Sequence, residues 1–132
     1  MQILLPDGWP RPVGYANGIA ARGRLVFVAG QVGWNPTGTF AEGLVAQVRQ
    51  ALENVVAVLR TGAAEPRHIV RMTWYVLDRA AYAAARSEIG RAYREVIGPT
   101  YPAMTLVQVA ALLEERALVE IEATAVVSDE QP

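Results

Sequence analysis

Two glutamates near the end of the chain, Glu120 and Glu122, are the clearest candidates for chemistry in the sequence. They lie in the stretch LVEIEATAV, which begins at Leu118 and has the composition of a β-strand. Residues two apart in a strand project to the same face, so the two carboxylates share one face and Ile121 lies on the other. Such carboxylates can face water on a half-buried strand, or one of them can act as a general base in a site. The elements around them decide between these two interpretations.

Few other side chains are available for covalent or metal chemistry. The sequence contains no cysteine and no lysine, which excludes thiol nucleophiles, thiolate metal sites and lysine Schiff bases. His68 is the single histidine, so a multi-histidine metal site is excluded, and its place before an apolar run favours a structural or surface role. Carboxylates, hydroxyls and arginines remain, and no metal site is predicted.

Charge and hydropathy exclude several classes of function. All twelve cationic residues are arginines, scattered among thirteen acidic residues with a net charge of -1 and no basic run. This distribution predicts no nucleic-acid partner, and the glycine patterns that bind phosphates or dinucleotides are missing. No apolar run approaches the length of a membrane span, and the first residues do not resemble a signal peptide. We therefore expect no membrane partner and a cytoplasmic location.

The length of 132 residues predicts a single domain, residues 1–132, of the α+β class with the element order β-β-α-β-α-β-β. The first helix is predicted from Leu44 to about Arg60, because apolar residues recur there every three or four positions and Gly62 follows its end. The other predicted elements are a hairpin (Gly18–Ala21 and Arg24–Gln31, with a turn at Arg22-Gly23), a strand (Ile69–Asp78), a second helix (80–97) and two closing strands (Ala103–Leu112 and Ala117–Val127).

The predicted sheet carries apolar residues on both faces, although two helices can cover only one. Val70, Met72, Trp74 and Val76 oppose Ile69, Tyr75 and Leu77; Leu25 and Phe27 oppose Val26 and Val28; Met104 and Leu106 oppose Val107 and Val109. A large exposed apolar face is typical of an interface, which predicts an obligate homo-oligomer packed through the open face. Glu120 and Glu122 would lie on that face, where a carboxylate needs either a partner, for which Arg71 is a candidate, or a catalytic role.

Six stretches of the chain follow one another in the order and spacing of a known family. They are GYAN, VAGQVGWNPTG, ALENVVAVLRTGAA, VRMTWYVLD, YPAMTLVQVAAL and VEIEATAVV, from about Gly14 to Val127. Each stretch is weakly specific alone, and the six together are specific. They resemble the Rid family, the reactive intermediate deaminases of the RidA/YjgF type, also called the endoribonuclease L-PSP family.

The resemblance implies a chorismate-mutase-like β-β-α-β-α-β-β protomer with its helices on one face of the sheet. It also implies a homotrimer in which three sheets form a central barrel, with a small-molecule ligand in each cleft between protomers. The best-known members hydrolyse 2-imino and enamine acids to keto acids and ammonia. They use no cofactor, so none is expected here.

The same resemblance implies roles for individual residues. Tyr15 corresponds to a tyrosine that lines the cleft, and Gly30 corresponds to a glycine whose backbone lies against the ligand. Glu120 corresponds to the carboxylate that positions the attacking water. Thr105 is expected to orient the ligand together with Tyr15, and Trp34 is expected to line the cleft.

One position departs from the family pattern. Deaminating members carry an arginine two residues after the proline, where it binds the substrate carboxylate, whereas here the stretch is PAMT and Met104 takes that place. A guanidinium offers a charge-assisted fork, and a thioether donates no hydrogen bond at all. Arg86, or Ser87 beside it, and Arg71 are candidates to replace the missing group. Surface or interface ion pairs are the favoured interpretation of both arginines.

Two functions stay open at this level, and the first is preferred. It is a Rid-type hydrolase, acting on a small imine, enamine or related electrophile that lacks the usual carboxylate, with Glu120 activating water. The second is a trimer that binds a small metabolite or a partner protein without turnover, which Met104 favours. Ribonuclease activity, suggested by the older family name, disagrees with the charge distribution.

Overall fold

A four-stranded sheet, covered on one face by helices, forms the body of the computed structural model, which describes residues 1–129. The strands are β1 (Gln2–Leu4), β2 (Gly18–Ala20), β3 (Arg24–Val32), β4 (Ile69–Val76), β5 (Ala103–Gln108) and β6 (Val119–Val127). The helices are α1 (Leu44–Thr61), α2 (Arg79–Ala84) and α3 (Arg86–Val96), with a 3₁₀ helix at Pro66–His68. The predicted α+β class is confirmed, and the last three residues of the predicted domain 1–132 lie outside the described residues.

The main sheet has the strand order β3-β6-β4-β5 and is mixed. Strand β6 is antiparallel to both β3 and β4, and β4 is parallel to β5. Ile121 of β6 therefore pairs with Trp74 of β4, which pairs with Leu106 of β5. Because β6 has a neighbour on each side, its two glutamates lie in the interior of the sheet and not at its edge.

The predicted hairpin between Gly18–Ala21 and Arg24–Gln31 is wrong. Strand β2 pairs with β1, which the sequence pattern did not predict, and the two form a separate two-stranded sheet. The glycine taken as a turn signal, Gly23, has a φ of +149°, and a Cβ added there would lie 2.1 Å from the carbonyl oxygen of Val127. Gly23 thus permits the close approach of the chain to the end of β6.

Helix α1 follows the predicted apolar stripe. Four residues of the stripe, Val48, Leu52, Val55 and Leu59, are fully buried, as is Ala51 beside them. Gly62 comes directly after the last helical residue, and its N–H donates to the carbonyl oxygen of Leu59 at 2.9 Å. The stripe packs against the covered face of the sheet and forms the hydrophobic core with it.

The second predicted helix, 80–97, is divided into α2 and α3 at Ala85. Asp78 caps α2, because its side chain accepts a hydrogen bond from the N–H of Ala81 at 3.0 Å. Helix α3 begins at Arg86 and buries Ile89 and Tyr93. The division places Arg86 in the first turn of α3.

A β-bulge in β4 changes which residues face the helices. Ile69 pairs with Ala125 and Arg71 pairs with Thr124, so the register shifts at Val70. Ile69 is fully buried in the core. The prediction that Ile69 opposes Met72 and Trp74 is therefore wrong, since all three lie in the core and strict alternation does not hold across a bulge.

The open face of the sheet is mixed and not apolar throughout. Leu25 and Phe27 of β3 are 54% and 70% exposed, and Val107 of β5 is 40% exposed. Between these flanks, β4 and β6 carry a band of polar residues: Arg71, Thr73, Tyr75, Glu120, Glu122 and Thr124. The apolar surface that predicted an oligomer is thus confined to the two outer strands of the sheet.

Candidate active site

Glu120 lies on the open face, between Val32 of β3 and Tyr75 of β4. The backbone of Gly30, in the bulge where the register of β3 shifts, lies directly against it. A Cβ added at Gly30 would lie 2.1 Å from Glu120 Oε2, so only glycine leaves room for the carboxylate. The structure therefore brings together two of the residues predicted for the site.

The half-buried Glu120 carboxylate has no hydrogen-bond or ion-pair partner among residues 1–129. The ion pairs in that range are Arg49–Glu95 and Arg60–Glu65. Arg71 was a candidate ion-pair partner for Glu120 and Glu122, but it pairs with neither of them within residues 1–129. Both oxygens of Glu120 thus remain available to a water molecule or a ligand.

Glu122 is engaged by a neighbour. The Tyr75 hydroxyl donates to Glu122 Oε1 at 2.7 Å, and this hydrogen bond is the main reason that the pKa of Tyr75 is raised above its ordinary value. An oxygen that already accepts this hydrogen bond is less available to hold a water molecule. The two glutamates share a face but differ in their availability.

A cavity of about 410 Å³ opens on the same face, beside Glu122 and not Glu120. Its lining includes Phe27, Arg71, Thr73 and Thr124. The guanidinium of Arg71 and the carboxylate of Glu122 give it one charge of each sign. This cavity contains none of the residues predicted for the site except Arg71, a candidate for the missing clamp.

A larger cavity, of about 550 Å³, lies on the covered side of the sheet where the edge strand β5 meets α2 and α3. Three predicted site residues line it: Tyr15, Arg86 and Met104. Tyr15 is held there by its neighbour Ala16, whose N–H donates to the carbonyl oxygen of Pro102 at 2.9 Å. We refer to this space as the β5 cavity.

Aromatic rings form one wall of the β5 cavity. Trp74 meets Tyr82 edge-on at 6.3 Å between ring centroids, and Tyr93 stacks on Tyr101 at 5.5 Å. The Tyr93 hydroxyl donates to the carbonyl oxygen of Thr100. The sequence pattern placed Trp74 on one face of a strand, without indicating that it encloses a cavity. The available signal was the spacing of Tyr82, Ile89 and Tyr93 along the predicted helix 80–97, which is typical of one helix face.

Two arginines of α3 line the β5 cavity, Arg86 and Arg94. Burial raises the pKa of Tyr82, and the nearby charge of Arg86 partly opposes this shift. Arg94 bends back along the helix, because its Nη1 lies 3.3 Å from the position of a Cβ on Gly90. Neither arginine forms an ion pair within residues 1–129. Arg94 was not identified from the sequence.

Besides Glu120 and Gly30, three more predicted site residues lie outside both cavities. Trp34 packs against Phe40 at 5.4 Å between ring centroids. Ser87 is exposed on α3, and Thr105 is exposed on β5, opposite Thr73. Their expected contacts with a ligand stay predictions.

The predicted site residues thus form two groups on different sides of the sheet. Gly30 and Glu120 lie on the open face, whereas Tyr15, Arg86 and Met104 line the β5 cavity on the covered side. Neither of the two cavities is lined by members of both groups.

We expect the free energy of unfolding to fall as the pH rises from about 10 to 12. Hydrogen bonding raises the pKa of Tyr75, and burial raises those of Tyr82 and Tyr93. The unfolded chain therefore releases these protons first, so their stabilisation is complete below about pH 10 and is lost as the pH rises through the folded-state values. The chain has no lysine or cysteine, so tyrosines dominate this range.

Urea unfolding at fixed protein concentration, repeated at several pH values in this range, measures how steeply the free energy of unfolding falls with pH. Tyr93→Phe removes one of the shifted phenols and should make the slope shallower. A slope that is absent in the parent, or that is unchanged in Tyr93→Phe, would contradict the assignment.

The described part of the chain contains no cluster of three or more histidines, cysteines or carboxylates that could hold a metal ion. His68 has a structural role, since its Nδ1 accepts the N–H of Glu65 at 2.9 Å and closes the 3₁₀ helix. None of the helices within residues 1–129 is both long and apolar enough to cross a membrane.

Comparison with known proteins identifies similar chains over nearly the whole length. The family model Endoribonuclease L-PSP matches residues 10–127. A RutC family protein of Haemophilus influenzae is 37% identical over 126 residues, which cover 95% of this chain and 96% of that protein. A 2-iminobutanoate/2-iminopropanoate deaminase of Salmonella typhimurium is 35% identical over 127 residues, covering 95% and 97%.

Solved structures agree with the fold. A protein of unknown function from the Rid family of Yersinia pestis superposes with a TM-score of 0.81 at 34% identity, covering 96% of this chain and 98% of that one. The Escherichia coli protein TdcF, solved with bound serine, superposes with a TM-score of 0.71 at 32% identity, covering 97% and 100%.

Proposed function

Because this chain belongs to the Rid/YjgF/L-PSP family, we propose that it is a cofactor-free hydrolase that converts reactive imines or enamines to carbonyl compounds and ammonia. The observation that carries this proposal is the half-buried carboxylate of Glu120, held against the backbone of Gly30 without a hydrogen-bond partner among the described residues. The similarity to a 2-iminobutanoate/2-iminopropanoate deaminase supports the reaction class.

The chemistry requires a group that can take a proton and return it. Glu120 accepts a proton from a water molecule as the water oxygen bonds to the imine carbon. This proton is returned to the imine nitrogen, which gives the neutral carbinolamine. Glu120 then takes the proton of the carbinolamine hydroxyl and delivers it to nitrogen as the C–N bond breaks, so ammonia leaves and the C=O bond forms. An imine carbon is already electrophilic, so the carboxylate and a positioned water molecule suffice.

We place this reaction at the junction between protomers of a homotrimer, with one domain in each protomer and the three sheets forming a central barrel. Two features support this arrangement. The predicted site residues are divided between the two sides of one sheet, and the outer strands of the open face expose Leu25, Phe27 and Val107. Packing the edge of one protomer beside the open face of the next can bring Glu120 close to the neighbour's β5 cavity.

Met104 limits the substrates of this site. It lines the β5 cavity at the place where the family motif carries a carboxylate-binding arginine, and it offers an apolar surface there. We therefore propose that small 2-imino acids, which depend on their carboxylate for most of their binding, are poor substrates. Tyr15, Trp34 and Thr105 complete the proposed cleft.

The test follows imine decay directly. An amino-acid oxidase generates imines in the presence of a trapping agent, and the hydrolase competes with the trap. Addition of the protein should decrease the trapped imine in proportion to protein concentration. No effect on imines with either aliphatic or aromatic side chains would remove the proposed activity.

A second candidate is a trimer that binds a small metabolite without turnover. The observation that favours it is the apolar and aromatic lining of the β5 cavity around Met104. Saturable ligand binding together with unchanged imine decay would identify this function.

A further inference from the structure

The β5 cavity has walls suited to a flat ring. Trp74, Tyr82, Tyr93 and Tyr101 contribute aromatic surfaces, and Met104 adds a polarisable one. Its volume of about 550 Å³ lies in the range of small-molecule pockets, and a three-carbon acid would leave most of it unfilled. Aromatic ligands gain both burial and edge or face contacts against such walls.

The same cavity carries positive charge, for which the described residues supply no counterion. Arg86 and Arg94 both line it, and no carboxylate in residues 1–129 pairs with either. Arg94 is directed along the helix over Gly90, which also lines the cavity. Two guanidinium groups beside an apolar space favour a ligand with an anionic end.

A buried donor adds a third, independent observation. Trp74 is 1% exposed, and its indole N–H has no acceptor among the described residues. Buried donors of this kind are rare because each costs free energy unless a partner satisfies it. Trp74 lines the β5 cavity, so an acceptor on a bound ligand can serve as that partner.

These observations point to one ligand class, and we infer that the β5 cavity binds aromatic carboxylates, with Arg86 and Arg94 holding the acidic group in place of the arginine missing at position 104. The inference rests on the proposed function where it names the substrate, an aromatic 2-imino acid and its aromatic 2-keto acid product. The ring enters the aromatic wall, and the carboxylate lies at α3.

Binding of phenylpyruvate tests this inference without requiring turnover. In ¹⁵N-labelled protein, the indole N–H signal of Trp74, identified by its loss in Trp74→Phe, should shift as phenylpyruvate is added. Two matched compounds separate the contributions: pyruvate has the acid without the ring, and phenylacetone has the ring without the acid. We expect each of them to bind at least about tenfold more weakly than phenylpyruvate.

Substitutions on α3 test which arginines bind the carboxylate of the ligand. Arg86→Gln and Arg94→Gln should each weaken phenylpyruvate binding by about threefold to tenfold while leaving phenylacetone binding unchanged. Arg91→Gln is the matched control, because Arg91 is exposed on the same helix and does not line the cavity. Calorimetry at matched protein concentration measures the dissociation constants.

Three outcomes would overturn the inference: no shift of the Trp74 signal, equal binding of pyruvate and phenylpyruvate, or an equal loss in Arg91→Gln. These experiments distinguish failure of this inference from failure of the proposed function. Phenylpyruvate binding without imine hydrolysis would leave the ligand class standing and remove the activity, whereas imine hydrolysis with no preference for the ring would do the reverse.

Discussion

Glu120→Gln is expected to lower imine hydrolysis by about 10²- to 10⁴-fold, the range that a positioned general base contributes. Glutamine keeps the shape of the side chain and its contact with Gly30, but it cannot accept the proton of the attacking water. The initial rate of imine decay, at matched protein concentration, measures the loss. Light scattering on the same samples checks that assembly is unchanged.

Glu122→Gln is the matched control. It changes the neighbouring carboxylate on the same face, which is held by the Tyr75 hydroxyl and is not expected to activate water. This variant should retain most of the activity and lose part of the upward shift in the pKa of Tyr75, because the hydrogen bond from Tyr75 to the carboxylate is its main cause. Equal losses in the two variants, or full activity in Glu120→Gln, would remove Glu120 from its proposed role.

Met104→Arg is expected to raise kcat/KM for the pyruvate imine by up to about 30-fold, which corresponds to ~2 kcal/mol of transition-state stabilisation. The parent presents a thioether where a carboxylate needs a donor, and the new guanidinium would line the β5 cavity beside Tyr15. The gain is limited because a long charged side chain must enter a site shaped for an apolar one, which costs stability. The rate with a small imine, measured at subsaturating concentration, reports the change.

Met104→Leu separates charge from shape. Leucine preserves the apolar character and approximate volume, so it should leave the rate with the pyruvate imine near that of the parent. Rapid turnover of this imine by the parent, with no gain in Met104→Arg, would contradict the claim that position 104 limits the substrate range.

The sequence predicted the fold where periodicity was local and regular. The stripe of helix α1 and the strand character of β4 and β6 were identified correctly, because each depends on side-chain spacing within one element. Ile69 was assigned to the wrong face, because a bulge depends on the partner strand. The pairing of β2 with β1 was missed for the same reason, since it is decided by a segment far from the turn signal at Gly23.

The site was predictable only in part. Glu120 beside Gly30 follows from the family motifs, and the structure brings the two together. Arg94 and the aromatic wall were missed, because their significance lies in the gap between α3 and β5 and not in any single stretch of sequence. Their side chains converge only after the helix packs on the sheet.

Mixed trimers test most directly the central claim that each site combines Glu120 of one protomer with the β5 cavity of the next. Two variants are used: Glu120→Gln, which loses the base, and Met104→Trp, which fills the cavity. Each should be inactive alone and should assemble like the parent, with a mass about three times the protomer's 14.3 kDa by light scattering.

The two variants are co-assembled in equal amounts by joint refolding, and imine decay is compared with that of the parent. With random assembly, about three quarters of the trimers contain both variants. Each of these has one site of three in which Glu120 and an open β5 cavity meet, so about a quarter of the parental activity should return. Activity that stays at the level of the separate variants, although mixed trimers are present, would contradict a site shared between protomers.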